Sequence, residues 1–343
     1  MKVEKKKIAD LTLCYCVTPL RYKGEEHFLV ASEKAYACLL FDKYGNQVDK
    51  IWDEPGGTMS AVHVPGTDGA FLATHRMYSP DENKEATIVL CWPEDGRWKV
   101  RTLAKLPGVH RFDILSRNGV HYLSACTIKS DDESEDDWRF PGKVWVCQLP
   151  QDLLRQPEGY MLPLEVLRDN QLKNHGYTRC ENTGIVTTEE GVFRFTPPAG
   201  PLDTWTVEQL LDEPTSDALL LDFDGDGERE LLTLSPFHGD TLRVFKKTDG
   251  CYRQVFEYEK KLGFVHAICP AEINGKPLAV IGHRRGDRDL LAVRFADGAY
   301  RVEKLDHDVG PANALSAQVD GQTVVLSANR EINEIAYYVI TED

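Results

Sequence analysis

The sequence predicts an all-β protein, a single seven-bladed β-propeller, from three observations. First, one pattern recurs along the 343 residues: a turn, a polar residue, about six residues of strand character and a glycine-bearing turn. The copies begin near residues 12, 60, 110, 175, 217, 266 and 313. Second, a repeat of about 40–50 residues built from short strands is typical of propeller blades. Third, the two ends of the chain carry matching segments.

Each repeat is interpreted as four strands, counted from the centre of the ring outward. In unit 1 they are predicted at 11–16, 27–32, 36–42 and 47–53, with turns at Gly24 and 44–46. Units 2, 5 and 6 show the same four strands, and unit 4 is the shortest. Unit 3 leaves the pattern at 149–167, where a short helix is expected to begin near Pro150. The predicted blades are 11–55, 56–107, 108–172, 173–214, 215–262, 263–309, and 310–343 together with 2–9.

The last unit supplies only three strands before the chain ends. The missing strand is predicted at the other terminus, because VEKKKIADLTL (3–13) resembles VEKLDHDVGPANAL (302–315), an outer strand that runs into the next inner strand. We therefore expect residues 2–9 to pair with the C-terminal unit and close the ring. Closure would cover the sheet edges that an open array leaves exposed.

The overall charge limits the classes of partner. With 40 basic and 55 acidic residues, the net charge of −15 disfavours nucleic acid and anionic membranes as partners. No apolar run reaches the length of a membrane span, and the N-terminus lacks the apolar stretch of a signal peptide. The nine cysteines show no metal-ligand spacing and are expected to be reduced, so we expect a cytoplasmic protein.

One column of the repeat is expected at the mouth of the central channel. It lies at the start of each innermost strand, and its members are Ser60, His110, His175, Asp217, His266 and Asn313. Three imidazoles directed at one axis can hold a divalent metal, with each nitrogen about 2.0–2.2 Å from it. We therefore expect a manganese- or zinc-type site on His110, His175 and His266. The alternative is that these histidines hydrogen-bond neighbouring blades and line a hydrated channel.

The loops and strand starts around this column are rich in histidine and arginine. The candidates for proton transfer are His75, Tyr78, His238 and His283. The residues expected to hold an anionic or polyhydroxylated ligand are Arg76, Arg111, Lys129, Arg284, Arg330 and Asn313. Without a metal, the histidines would act as acid and base while the arginines bind the ligand.

Two acidic segments lie outside this column. Asp222, Asp224, Asp226 and Glu230 occupy positions 1, 3, 5 and 9 of a glycine-rich loop, a spacing of oxygen ligands that suits a structural calcium ion. The alternative is a plain Asp-Gly turn. The run 130–137 is either a lid over the channel or a solvated loop, and Trp138 directly after it favours partial folding back over the rim.

DFDGDGERELLTL (222–234) resembles the FG-GAP or VCBS-type repeat, whose blades begin with an Asp-x-Asp-Gly-Asp-Gly loop and a strand. The VHRFDIL and NHGY strand starts also resemble the propeller portion of the aldos-2-ulose dehydratase group, which eliminates water from keto-sugars with metal assistance. Seven-bladed oligogalacturonide lyases are a second, looser resemblance and imply an axial histidine cluster. No cupin-like extension follows in this chain, unlike in the dehydratase group.

These observations predict a metal-assisted lyase or dehydratase that acts by β-elimination on a small keto-sugar or uronate-type carbohydrate. A metal would polarise the keto or uronate group, a histidine of the rim would abstract the α-proton, and arginines would anchor the sugar oxygens. The alternative is a non-catalytic propeller scaffold or a module that binds a glycan or a protein at the same rim. Fold alone does not decide between them, and the oligomeric state stays open.

Overall fold

Seven four-stranded antiparallel sheets are arranged around one axis in the computed structural model, which describes residues 1–78, 83–131, 133–134 and 137–342. Each sheet pairs strands that follow one another in the chain, except where the ring closes. The inner strands of neighbouring sheets contact each other around the axis. The architecture is therefore the seven-bladed β-propeller that the repeat predicts.

The first four blades take their strands in chain order. Blade 1 contains β2 (Cys14–Tyr22), β3 (Glu25–Ser32), β4 (Cys38–Asp42) and β5 (Gln47–Trp52). Blade 2 contains β6 (Ala61–His63), β7 (Phe71–His75), β8 (Thr87–Glu94) and β9 (Arg97–Lys105). Blade 3 contains β10 (Val109–Arg117), β11 (Val120–Lys129), β12 (Pro141–Gln148) and β13 (Glu165–Gln171). Blade 4 contains β14 (Tyr177–Cys180), β15 (Thr183–Thr188), β16 (Gly191–Thr196) and β17 (Thr206–Leu211).

The last three blades include the closing strand from the N-terminus. Blade 5 contains β18 (Asp217–Leu221), β19 (Glu230–Ser235), β20 (Thr241–Thr248) and β21 (Cys251–Glu257). Blade 6 contains β22 (Gly263–Ile273), β23 (Lys276–Arg285), β24 (Leu290–Ala296) and β25 (Ala299–Asp306). Blade 7 contains β26 (Asn313–Val319), β27 (Gln322–Asn329), β28 (Glu334–Thr341) and β1 (Lys2–Asp10), with a short 3₁₀ turn at Arg330–Ile332.

The N-terminal strand closes the ring, as the terminal match predicts. Strand β1 pairs antiparallel with β28, in a register that sets Lys2 opposite Thr341 and Lys7 opposite Ala336. This pairing satisfies the backbone groups of β28 that would otherwise form an open edge in the last blade. The first and last strands in chain order therefore belong to the same sheet.

Burial decreases from the middle of each blade to its rim. Strands β7 and β19 are buried along their whole length, whereas β5 and β21 are largely exposed. Because apolar residues alternate towards both neighbouring blades, the cores lie between the sheets rather than within a single central core. This packing holds the starts of the inner strands, where the axial residues lie, in fixed positions.

The third blade differs from the expectation at one point. The helix predicted near Pro150 is wrong, because residues 149–164 form turns instead of a helix. The Arg101 guanidinium holds these turns by donating to the carbonyl oxygens of Leu153 at 2.9 Å and Gln156 at 2.6 Å. All nine cysteines are unpaired. None of the helices among the described residues is long and apolar enough to cross a membrane.

Candidate functional site

Three inner strands carry an irregularity at the same repeat position. The register of β2 shifts between Cys14 and Cys16, and equivalent shifts occur in β10 and β22. The residues inside these shifts are Tyr15, His110 and His266. A bulge redirects the side chain of its extra residue, and all three side chains line one axial cavity. Tyr15 is therefore the blade 1 member of the axial column, which the sequence alignment missed.

The axial side chains are tied to the next blade around the ring. Each donates a hydrogen bond to a backbone carbonyl there: Ser60 Oγ to His110 (3.2 Å), His110 Nδ1 to His175 (3.3 Å), His266 Nδ1 to Ala312 (2.6 Å) and Asn313 Nδ2 to Tyr15 (2.9 Å). A histidine that donates through Nδ1 keeps its lone pair on Nε2. All four residues therefore bridge neighbouring blades, and two of them, His110 and His266, also line the axial cavity.

His175 has a carboxylate behind it. Its Nδ1 lies 3.2 Å from Oδ2 of the buried Asp217 and 3.3 Å from the carbonyl oxygen of Ser216. The Ser216 hydroxyl donates to the same carboxylate oxygen at 2.9 Å. Such a carboxylate–histidine pair orients the imidazole and makes its second nitrogen a better metal ligand. That nitrogen, Nε2, faces the axis.

His238 completes the group from the loop that follows β19. Its Nε2 lies 3.3 Å from Nε2 of His175. The ring is stacked between Phe237 and Phe264, with centroid distances of 3.9 and 4.1 Å. Burial lowers the pKa of His238, and it also lowers the pKa of His110 and of His266. These three rings are therefore neutral and available as ligands near neutral pH.

The ligand atoms of His175, His238 and His266 all lie within 4.8 Å of one another. Two ligands at tetrahedral angles on zinc, with bonds of about 2.0–2.1 Å, lie about 3.4 Å apart. The donor set therefore fits a divalent metal with a modest inward movement. His110, expected as the third ligand, is not in this group, and its Nε2 lies 3.2 Å from the Tyr15 hydroxyl oxygen. His238, expected as a base, is in this group instead.

The cavity above these rings has a volume of about 370 Å³. Its lining includes the aromatic residues Tyr78, Trp138 and Phe264 and the charged residues Glu33, Arg284, Arg330 and Glu331. The axial histidines and Tyr15 form the floor. A ligand would therefore meet a ring face, an ion-pair network and imidazole nitrogens at once.

The rim arginines form ion pairs with two glutamates, Glu33 and Glu331, which were not among the predicted site residues. Glu331 Oε1 accepts from Arg284 Nε at 2.8 Å and from Arg330 Nη1 at 2.9 Å, and Arg330 Nε also donates to Glu33 at 2.5 Å. Burial alone would raise the pKa of Glu331, but the two arginines hold it below its ordinary value. Arg285 lines the same cavity and lies over the Phe264 ring, 4.9 Å from its centroid.

Three bulky residues of the cavity have left-handed backbone conformations. The φ angles are 58° for Tyr78, 49° for His238 and 58° for Phe264. This region is unfavourable for residues with a large side chain, and such residues concentrate at functional sites, where the surrounding structure holds them. The local sequence does not show this feature.

Two predicted catalytic histidines lie elsewhere. His75 packs against the Trp52 ring at a centroid distance of 4.5 Å, and burial lowers its pKa to about 4. His283 is bonded at both ring nitrogens: Nδ1 donates to the carbonyl of Arg285 at 2.8 Å, and Nε2 accepts from the amide of Asp289 at 3.1 Å. Neither histidine is among the described residues that line the cavity. Their contacts with Trp52, Arg285 and Asp289 therefore indicate a structural role for both histidines.

The remaining predicted ligand-binding residues are separated from the cavity. Arg111 donates to Asn313 Oδ1 at 3.0 Å and lies over the Tyr15 ring. It lines a second cavity along the axis, with a volume of about 640 Å³. Arg76 is exposed to solvent. Of the residues predicted to bind the ligand, Arg284 and Arg330 line the axial cavity.

Lys129 lies beneath the acidic loop rather than at the rim. Its ammonium group is buried below the Trp138 ring, 4.8 Å from the centroid, and donates to the Asp137 carbonyl oxygen. The Asp137 carboxylate accepts from the guanidinium of Arg139. Residues 132, 135 and 136 of the predicted loop 130–137 are outside the described part of the chain. Trp138 does fold back, since it lines the cavity.

The acidic loop of blade 5 holds an internal cation. The ammonium group of Lys246 pairs with Asp224, lies 2.7 Å from Asp226 Oδ2 and lies 3.2 Å from Oε1 of the buried Glu230. These carboxylates, Asp224 first, raise the pKa of Lys246. Asp222 instead accepts backbone amides of its own loop, those of Gly225 and Gly227. A calcium ion on this loop would have to displace the lysine.

The fold and this arrangement define a class: a seven-bladed β-propeller with a histidine-lined axial cavity. No protein-family model matches the chain, and no curated protein matches its sequence. Among solved structures, it is similar to the crystal structure of the β-propeller domain of Cps50 (Swd1) from Myceliophteria thermophila, with a TM-score of 0.66 and 11% sequence identity. The match covers 98% of this chain and 100% of that one, and at this identity it concerns the fold alone.

Proposed function

We propose that the axial cavity is the active site of a metal-assisted lyase that acts by β-elimination on a small keto-sugar or uronate. The observation that carries this proposal is the convergence of one ring nitrogen each from His175, His238 and His266 to within 4.8 Å, with a carboxylate behind His175. The resemblance of VHRFDIL and NHGY to strand starts of the dehydratase group supports the same chemistry. When bound, a divalent metal would polarise a keto or carboxylate oxygen and acidify the adjacent C–H bond.

The other residues of the cavity have separate roles in this proposal. Tyr78 is the proposed proton-transfer residue, because it lines the cavity while His75 and His283 do not. Arg285, together with the Arg284 and Arg330 pairs, binds the oxygen atoms of the substrate. The aromatic residues Tyr78, Trp138 and Phe264 pack against the apolar face of the sugar ring.

The test begins with protein purified without chelator. Metal analysis is expected to find about one equivalent of a transition metal per chain. Keto-sugars and uronate oligosaccharides are then screened for an unsaturated product by ultraviolet absorbance, with and without added metal. Activity that is lost in His175→Ala and in metal-free protein supports the lyase. Full activity in metal-free protein would contradict it.

The second candidate is a non-catalytic scaffold or glycan-binding module. The rim supports it at one point: Arg284 and Arg330 are already paired with Glu331 and Glu33, which stabilises the mouth without a ligand. This candidate predicts that His175→Ala and Tyr78→Phe leave ligand or partner binding unchanged. Retained glycan binding in both variants, without turnover in wild type, would favour it.

A further inference from the structure

Tyr15 is an axial residue whose hydroxyl group faces two hydrogen-bond acceptors but has only one hydrogen to donate. Its hydroxyl oxygen lies 3.2 Å from Nε2 of His110 and 3.1 Å from Nε2 of His266. Both histidines donate through Nδ1 to backbone carbonyls, so both Nε2 atoms carry lone pairs. A phenol has one hydrogen and can donate to only one of them. The second contact therefore places two lone pairs against each other in a buried site.

A cation removes this conflict. If the lone pair of His266 binds a metal, the Tyr15 hydroxyl is free to donate its hydrogen bond to His110 Nε2, while His110 Nδ1 donates to the His175 carbonyl oxygen. Every donor and acceptor in the chain from Tyr15 to His175 then has a partner. The remaining lone pairs of the phenolic oxygen face the cation.

We propose that Tyr15 Oη is the fourth donor of the axial metal site, and that His110 is not a ligand but the residue that holds the Tyr15 hydrogen. This inference rests on the metal site of the proposed function and adds its fourth ligand. The set of three imidazole nitrogens and one oxygen suits a borderline divalent metal such as zinc or cobalt.

The position of the oxygen supports this role. Its distance of 3.1 Å from His266 Nε2 is close to the spacing of about 3.4 Å between two ligands on a tetrahedral metal. The side chain of Tyr15 is 1% exposed. Its ring meets the His266 ring edge-on, with centroids 5.3 Å apart, and the Arg111 guanidinium lies 5.4 Å from its centroid. The bulge and these contacts hold the oxygen at the cavity floor.

Cobalt(II) is the probe, because its visible spectrum reports the coordination number and the donor type. The full-length protein is titrated with Co²⁺, and the variant Tyr15→Phe removes only the oxygen atom. We expect affinity for Co²⁺ to fall at least about 10–100-fold, the range seen when supporting residues of a metal site are removed. The visible spectrum should also change, because water replaces the phenolic oxygen.

Two further variants separate the roles. Tyr338→Phe is the matched control, since Tyr338 is another buried tyrosine whose hydroxyl is bonded, to Asn329 and Asp306, and it should bind Co²⁺ as wild type does. His110→Gln should weaken binding much less than His175→Ala. An equal loss in these two variants would make His110 a ligand and overturn the assignment.

The outcomes test the fourth ligand and the metal site separately. If Tyr15→Phe keeps the affinity and spectrum of wild type while His175→Ala loses cobalt, the fourth-ligand inference is wrong and the metal site stands. If wild type binds no cobalt, the metal site of the proposed function fails, and this inference fails with it.

Discussion

The Nε2 atoms of His175 and His238 lie 3.3 Å apart, although 63 residues separate the two histidines in the chain. One comes from the start of blade 4 and the other from a loop of blade 5. Two imidazole nitrogens at this distance are spaced either for a hydrogen bond or for two adjacent ligand positions around a metal. The carboxylate of Asp217 behind His175 and the two phenyl rings around His238 hold both rings in place.

Replacing His238 should remove the bound metal. His238→Ala leaves His175 and His266 as the only imidazoles of the group, and two ligands hold a divalent ion much more weakly than three. The metal content of the purified protein should fall from about one equivalent per chain to near zero. His121→Ala is the control, because His121 bonds to Ser116 on the same blade and lies outside the cavity. Equal metal content in all three proteins would argue against the site.

Asp217→Asn should weaken metal binding without removing a ligand. The carboxylate orients His175 through Nδ1, and loss of such a partner costs about 10–100-fold in metal affinity. Competition with a chromogenic chelator measures the change. Asp240→Asn, on the same blade and half exposed, removes the same charge and should have no effect. An unchanged affinity in Asp217→Asn would show that the pair is only structural.

Removing residues 1–10 should open the ring. Without β1, the backbone edge of β28 and the apolar residues beneath it become exposed. We expect a lower melting temperature and concentration-dependent association, measured by calorimetry and light scattering. Adding a synthetic peptide of residues 1–12 should restore part of the stability. A truncated chain that melts as the full-length protein does would contradict the closure.

His75 should make the fold less stable in mild acid. Its pKa is about 4 in the folded protein and about 6.5 in the unfolded chain, so the unfolded chain binds the extra proton between these values. The free energy of unfolding therefore falls as pH decreases from 6.5 to 4, by up to about 3 kcal/mol from this residue. Denaturant unfolding of wild type and His75→Leu across this range measures it. The variant should show a shallower slope; identical slopes would contradict the argument.

Lys246→Met should convert the blade 5 loop into a stronger calcium site. The ammonium group pairs with Asp224, Asp226 and the buried Glu230, so its removal leaves these carboxylates without a nearby positive charge. We expect a loss of about 3 kcal/mol in the free energy of unfolding, since a buried charge loses its partner. Added calcium should recover much of it, as measured by thermal unfolding. Lys247→Met, an exposed neighbour, is the control and should show neither effect.

The periodicity of the chain was enough to predict the architecture. Recurrent turns and short strands determine the number of blades, and the match between the two termini determines the closure, because both follow from local patterns repeated along the backbone. The same periodicity placed His110, His175 and His266 at the start of inner strands. It could not identify Tyr15, because nothing in LTLCYC shows where a bulge will turn one side chain to the axis.

Sequence by itself therefore determined the seven blades, the closing strand and the positions from which residues can reach the axis. Only the tertiary structure decided which side chains meet there: His238 joins His175, His110 turns to Tyr15, and His75 and His283 turn away. The physical reason is that a sequence repeat specifies the position of a residue along its strand. The direction of a side chain and its partner depend on bulges, loop backbone and packing between blades distant in sequence.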